Sequence, residues 1–306
     1  MNDEVEKPEG SPSSVTALSK GEVIAAPIRY RALKRFCANK AALVSLIFIC
    51  LFLFLCYFPQ LVTNYPQNDI GGSLKRLPPS AQHWLGTDIQ GRDLLTEILY
   101  AGQISLRIAI GVGLLSTLVG AAVGAAAGYY NKFFDALLMR ITDLFLVVPA
   151  VVVLSITLRK FGDSYIAMVL IIAAISWMYT ARLVRSQVLS LKTREYIDAS
   201  RLNGRGSLYI IFRHLIPNSW SVIAVSSAFT VAGAILLEST VSFLGFGVQP
   251  PLTSLGNMVY DLKGFAVGEY FYLFLAPAMT IFLIVLSFNF ISDGLRDAFD
   301  PRSEQS

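Results

Sequence analysis

Few residues in this chain could carry chemistry. Two histidines, His83 and His214, three cysteines, Cys37, Cys50 and Cys56, and scattered carboxylates supply most of its candidate ligands and acid–base groups. Asp88 and Asp93, in HWLGTDIQGRD, have the composition of a catalytic carboxylate pair, and His83 with Asp88 could begin a metal site. Neither pattern is completed, because that segment holds no second histidine or cysteine. The cysteines lack metal-ligand spacing and read as reduced packing residues in or beside an apolar run. No G-x-x-x-x-G-K-[ST] phosphate loop occurs, so ATP hydrolysis by this chain is not expected. The stretch left to carry function is TREYIDASRLNGRGSLYIIFRHLIP, Thr193 to Pro217, a polar and basic island between long apolar segments.

Composition indicates what positions it. The 306 residues are 54% hydrophobic and 15% charged, with a mean hydropathy of +0.57, whereas a soluble domain is about 25% charged. An all-α integral membrane protein is expected. The net charge of +4 is dispersed between apolar runs, so no nucleic-acid partner is expected. Residues 1–30 read as a disordered tail rich in Pro, Ser, Glu and Gly, and 301–306 as a short C-terminal tail. The transmembrane domain, 31–300, holds six spans at about 41–58, 103–129, 141–158, 164–184, 218–238 and 270–291. The first begins too deep in the chain for a signal peptide. An outer loop covers 59–102 and an inner loop 190–217. With both termini cytoplasmic, the inner segments hold 18 of the 25 Lys and Arg residues, although Arg159 and Lys160 fall in a short outer turn.

Several local features have physical readings. Asp93 can cap a helix whose residues Leu94, Leu95, Ile98 and Leu99 would lie on the membrane surface. Gly120, Gly124 and Gly128 recur every four residues, which lets helix backbones approach closely, for packing or for sliding. Arg107 should snorkel to headgroups, Pro149 can kink the third span into a hinge, and Asp143 should pair locally with Arg140. Glu238 is costly in lipid and should face a pore or a polar partner. Phe243, Gly245 and the Pro250-Pro251 pair place aromatic anchors, a flexible glycine and a rigid turn at the outer interface. Together with Asp88 and Arg92 of the outer loop, these residues are the candidates for an outer gate or a docking surface.

In the island, Thr193 is a plausible N-cap, Glu195 and Asp198 suit the positive end of a helix dipole, and Asn203-Gly204 should end the first helix. A second helix comes next, with Leu208, Ile211, Phe212 and Leu215 at i, i+3, i+4 and i+7. Such a stripe on the cytoplasmic side must be covered by the membrane surface or by a groove on a partner protein.

Asp198-Ala199-Ser200, three residues, Gly204, nine residues and His214-Leu215-Ile216-Pro217 together resemble the EAA loop of ABC importer permeases. Asp198, Ser200, His214 and Ile216 depart from the general pattern, and RHLIPN is similar to the peptide branch. HWLGTDIQGRD, LESTVSFLGFGVQPP and FNFISDGLRDAFDPR resemble the same branch, so the likeness runs from about residue 30 onward. The chain is identified as similar to the C-type permease subunit of oligopeptide and dipeptide importers.

The resemblance implies a type I importer-permease fold, six transmembrane helices with both termini cytoplasmic, in a bacterial inner membrane. It implies partners: a B-type permease forming a heterodimer, one or two cytoplasmic ABC ATPases holding ATP and Mg, and an extracytoplasmic peptide-binding protein. The loop residues Glu195, Asp198, Ala199, Ser200, Gly204, Leu208, Ile211, Phe212, His214 and Pro217 would then dock the ATPase. Relatives also serve nickel chelates, glutathione and other small solutes. A secondary transporter, the competing class, would place ionisable residues near the midplane and repeat its span pattern, whereas Arg107, Asp143 and Glu238 lie toward span ends.

Overall fold

The computed structural model describes residues 28–69, 75–130, 132–161 and 164–299, with side chains from 32 onward. The expected C-terminal tail, and all but the last three residues of the N-terminal one, lie outside the described residues. Helix α1 (Ile28–Ala38) ends at Asn39, whose side chain accepts the Ala42 N–H at 3.2 Å and so starts α2 (Lys40–Tyr57). The later apolar crossings are α3 (Leu94–Tyr129), α6 (Tyr165–Leu191), α10 (Trp220–Val241, extended by a π turn at Ser242–Phe246) and α12 (Phe271–Phe299). Shorter helices lie between them: α4 (Lys132–Val147) and α5 (Ala150–Phe161), α7 (Glu195–Leu202), α8 (Ser207–Ile210), α9 (Ile216–Asn218) and α11 (Leu255–Asp261).

Among the described residues five helices are each long and apolar enough to cross a membrane, and α4 and α5, bent by 83° at their break, together have the length and composition of a sixth. The span expected at 141–158 is therefore two helices. The break falls beside Pro149, which has no N–H to donate and disfavours helical geometry at Val148.

Helix α3 corrects a second expectation. It starts at Leu94, nine residues ahead of the span expected from hydropathy, and absorbs the helix expected on the membrane surface. Leu94, Ile98 and Leu99 are buried in protein instead. The polar residues that depress hydropathy there are satisfied internally: Asp93 accepts the Thr96 N–H at 2.8 Å, and Glu97 accepts the Asn68 N–H at 2.8 Å. Helix ends are thus set here by capping and not by loss of apolar character.

The core is in two parts. The larger joins α2, α3, α6, α10, α11 and α12, and the smaller lies toward the termini, where Ala121 and Ala125 of α3 meet Val184 and Val188 of α6. Along the α3–α6 seam the three recurring glycines leave no room for a side chain. A Cβ at Gly120 would stand 2.6 Å from the Trp177 carbonyl, one at Gly124 would collide with the Ala181 carbonyl, and one at Gly128 would stand 2.8 Å from Val188 Cβ. At the terminal side, Asn39 donates to Asp297 at 3.0 Å and ties the start of α2 to the end of α12. Of the cysteines, Cys56 is buried, whereas Cys37 and Cys50 are exposed and do not pack inside this chain as expected.

Candidate functional site

The polar island folds as a helix, a tight turn and a second, irregular helix. Thr193 is not the cap: its hydroxyl donates to the Ser190 carbonyl at 3.2 Å, and α7 starts after Arg194 with no side-chain cap. Glu195 and Asp198 occupy the first turn of α7, and Asp198 pairs with Arg201 at 3.0 Å on the surface. Ala199 is exposed and Ser200 buried. Gly204 closes α7 at φ +71°. Its N–H donates to the Arg201 carbonyl at 2.9 Å, and the Arg205 N–H donates to the Ser200 carbonyl at 3.2 Å. These are the two hydrogen bonds of a Schellman ending, and they require the left-handed residue that glycine supplies.

The expected four-residue stripe is split. Ile211 and Leu215 are buried, but Leu208 and Phe212 are 65% and 63% exposed. The cause is a π turn at Ile211–Leu215, where the Ile216 N–H reaches back to the Ile211 carbonyl. One extra residue in the turn rotates its far end, so Leu215 comes round to the side of Ile210 and Ile211, and the three join Ile197 in the smaller core. Leu208 and Phe212 are left outward with Leu202, Tyr196 and Tyr209. Basic groups edge this apolar face, with Arg205 over the Tyr209 ring at 4.9 Å. His214 stands between Tyr209 and Tyr196, with ring centroids at 5.7 and 6.2 Å. Pro217 lies in the first turn of α9, where its missing N–H leaves no bond unmade. Lys192 donates to the Gly128 carbonyl at 2.7 Å, fastening the start of the loop to the end of α3.

On the opposite side, the residues considered for catalysis hold the loop together. Asp88 accepts from the N–H groups of Gln90 and Arg92 at 2.8 and 2.9 Å and from Arg92 Nε at 2.6 Å. Arg92 also reaches Asn68 at 3.2 Å and Glu97 at 3.6 Å. His83 pairs with Asp93, not Asp88, at 2.9 Å beneath the Tyr65 ring. Neither a free carboxylate pair nor a His83–Asp88 site is formed, and no metal-holding group of three His, Cys, Asp or Glu occurs among the described residues. Asp88, Gln90, Arg92, Thr253, Met258 and Asp261 share a cavity of about 180 Å³, where burial pushes the Asp261 carboxyl above its ordinary range.

Glu238, expected at a gate or docking surface, is fully buried. Its carboxylate accepts from Ser242 Oγ at 2.7 Å and Ser105 Oγ at 3.1 Å, and Ser105 in turn accepts the Leu255 N–H at 3.1 Å. This carboxylate thus joins α10, α3 and α11, a role the sequence could not assign without knowing that Ser105, 133 residues away, meets it. Asp88 is likewise buried, so neither offers a surface to a partner. Phe243, Gly245 (φ +87°) and Pro250 are exposed beside them.

Between α4 and α6 run two ion pairs. Asp143 pairs with Arg182, not with Arg140, and Asp135 pairs with Arg185, its Oδ2 accepting from Nη2 at 2.6 Å. Arg107 donates to the Tyr57 hydroxyl at 3.1 Å, at the level where α2 ends.

Comparison with known proteins extends this geometry. Residues 120–305 match the family described as binding-protein-dependent transport system inner membrane component, and residues 29–79 match the N-terminal transmembrane domain of oligopeptide transport permease C. The chain is 40% identical over 273 residues to the oligopeptide transport system permease protein OppC of Mycobacterium bovis, covering 88% of this chain and 93% of that one. It is 36% identical over 271 residues to the dipeptide transport system permease protein DppC of Alkalihalophilus pseudofirmus, covering 89% of each. Its fold resembles a chain of the inward-facing MetNI methionine ABC transporter, with a TM-score of 0.56 at 15% identity over 67% of this chain and 97% of that one. The extent of these matches, over a bundle of five long apolar helices and one bent pair, shows that the chain belongs to the family of binding-protein-dependent transport system inner membrane components.

Proposed function

We propose that this chain is the membrane-spanning permease subunit of an ATP-driven peptide importer in a bacterial inner membrane, forming half of the translocation path. Similarity to oligopeptide and dipeptide permeases along nearly the whole chain carries the substrate class. In this reading the terminal side faces the cytoplasm, where the excess of Lys and Arg lies. The loop from Glu195 to Pro217 docks a separate ABC ATPase, which binds ATP and Mg, and a B-type permease completes the path beneath a peptide-binding protein.

The observation that supports docking is the division of the loop's apolar residues. One set anchors the loop to α3 and α6, and the other, Leu202, Leu208 and Phe212, is left exposed inside a basic rim. Such a face fits a groove on a partner better than lipid, since it lies beyond the helix ends. ATP closes the paired ATPases, the loops move with them, and the permeases switch which side is open. The two states need only differ in their contacts with the ATPase for its cycle to shift their populations. Reconstitution of the chain with its partner permease, ATPases and binding protein tests the proposal. Peptide uptake requiring ATP supports it, and uptake driven by an ion gradient with no ATPase present refutes it.

A further inference from the structure

We infer that the adjoining exposed faces of α6 and α10 line this subunit's half of the translocation path, and that the Tyr179–Phe229 ring pair is its narrowing. The inference rests on the importer reading above.

Exposure along α6 changes character at its middle. In the first half the exposed side chains include Ile166 and Leu170, which suit lipid. Beyond the midpoint they are Tyr179, Arg182, Ser186 and Ser190, spaced by three and four residues and so on one helical face. A polar stripe in a membrane helix belongs on water or protein. Arg182 and its partner Asp143 are 46% and 49% exposed, so the ion pair is open on one side to whatever fills the adjacent space. Ionisable groups at such depth line aqueous cavities far more often than they meet hydrocarbon.

Helix α10 presents a second face of the same periodicity, Phe229, Gly233, Leu236 and Thr240. A Cβ at Gly233 would meet no atom within 4 Å, so the space beside it is open. The two faces join where Tyr179 and Phe229 lie 5.7 Å apart, each about half exposed. At 1.5 Å per residue, Tyr179 is roughly 18 Å from the end of α6 and Phe229 roughly 14 Å from the start of α10. That is close to the midplane of a bilayer core about 30 Å thick. The polar stripe of α6 therefore leads from the ring pair to the cytoplasmic side, and the face of α10 leads from it to the outside.

The chemistry suits a main chain more than any particular side chain. Two ring faces and a phenolic hydroxyl can stack on and hydrogen-bond successive amides, and one turn further the Asp143–Arg182 pair offers both signs of charge to a zwitterionic peptide's termini. Peptides of varied sequence would meet the same contacts.

Single cysteines test the lining in the complete importer, with Cys37, Cys50 and Cys56 replaced by serine. A charged, membrane-impermeant thiol reagent added from the cytoplasmic side should label Ser186→Cys and Ser190→Cys about tenfold faster than Leu170→Cys. Peptide supplied during turnover should slow that labelling. Reagent added from outside should reach Ser190→Cys only when Tyr179→Ala and Phe229→Ala are combined with it, and Phe229→Leu alone gives the same readout if the double variant fails to assemble. Labelling at Ser186→Cys and Ser190→Cys as slow as at Leu170→Cys overturns the lining, and no gain on removal of the rings overturns the narrowing. Labelling requires no transport activity. If the complex without introduced cysteines takes up no peptide with ATP, yet the cysteine variants show the full labelling pattern, the importer reading is refuted and the lining stands.

Discussion

Gly204 isolates backbone geometry from packing in a way few positions allow. Its φ is +71°, and a Cβ added there would meet nothing within 4 Å, so a substitution changes only the cost of the left-handed conformation. That cost is about 1–2 kcal/mol for an L-residue, less for Asn and more for a β-branched side chain. Since 1.36 kcal/mol is tenfold, Gly204→Ala should reduce the population of the Schellman turn about 5- to 30-fold relative to its alternatives. The opposing terms are the two hydrogen bonds that close the turn and the anchoring of Ile197 and Ile210 on either side of it. The assay is the number of peptides taken up per ATP hydrolysed by the reconstituted importer. Coupling should fall in the order Gly, Asn, Ala, Val. Insertion of the permease in the membrane should not change, because residue 204 is exposed and a Cβ there meets no atom of this chain within 4 Å. Equal coupling by Gly204→Val and the unmodified protein would refute the claim that this turn must hold its shape to transmit the ATPase stroke.

Phe212→Asp puts a charge on the exposed face and should release the ATPase during copurification, whereas Ile211→Asp, at a buried site, should reduce the amount of folded permease instead. Gly120→Val forces branched carbons toward the Trp177 carbonyl and should destabilise the α3–α6 seam by about 1–3 kcal/mol. It should show as a lower thermal midpoint of the solubilised complex, with Ala122→Val, on the exposed side of the same helix, nearly neutral. Glu238→Ala leaves buried serine hydroxyls without their acceptor, at about 1–3 kcal/mol for each group stranded. The segment from Ser242 to Asp261 should then become protease-sensitive, and Glu238→Gln, which still accepts, should restore most of the protection.

Much of this architecture is legible because a bilayer makes few demands. A run of apolar residues long enough to cross it must be helical, so the spans beginning near Lys40, Tyr165, Trp220 and Phe271 follow from hydropathy alone. The features that were not legible depend on side chains meeting over long sequence distances. The apolar face of Leu94, Leu95, Ile98 and Leu99 reads as a surface helix, because nothing local shows that His83 pairs with Asp93 and that Asn68 donates to Glu97. Asp143 has a basic neighbour one turn away, yet its partner lies 39 residues on, across a helix interface. In the loop, the Gly204 turn was readable from Asn203-Gly204, since turn chemistry is local. The stripe was not, because periodicity assumes 3.6 residues per turn and Ile211–Leu215 departs from it.

The length of α3 bears on how the protein tolerates its membrane. At 1.5 Å per residue its 36 residues extend about 54 Å, whereas α2, with 18, extends about 27 Å and nearly matches a hydrocarbon core of about 30 Å. Such an excess would ordinarily impose tilt or local thickening on surrounding lipid. Here the surplus turns carry Leu94, Ile98, Leu99 and Ala101 into the protein core, so they do not face acyl chains. Hydrophobic mismatch is therefore registered by α2 and scarcely by α3. Changing acyl-chain length should shift the depth of the peripheral helix while leaving the central seam of α3 and α6 in register, so the loop from Glu195 to Pro217 keeps its alignment in membranes of different thickness.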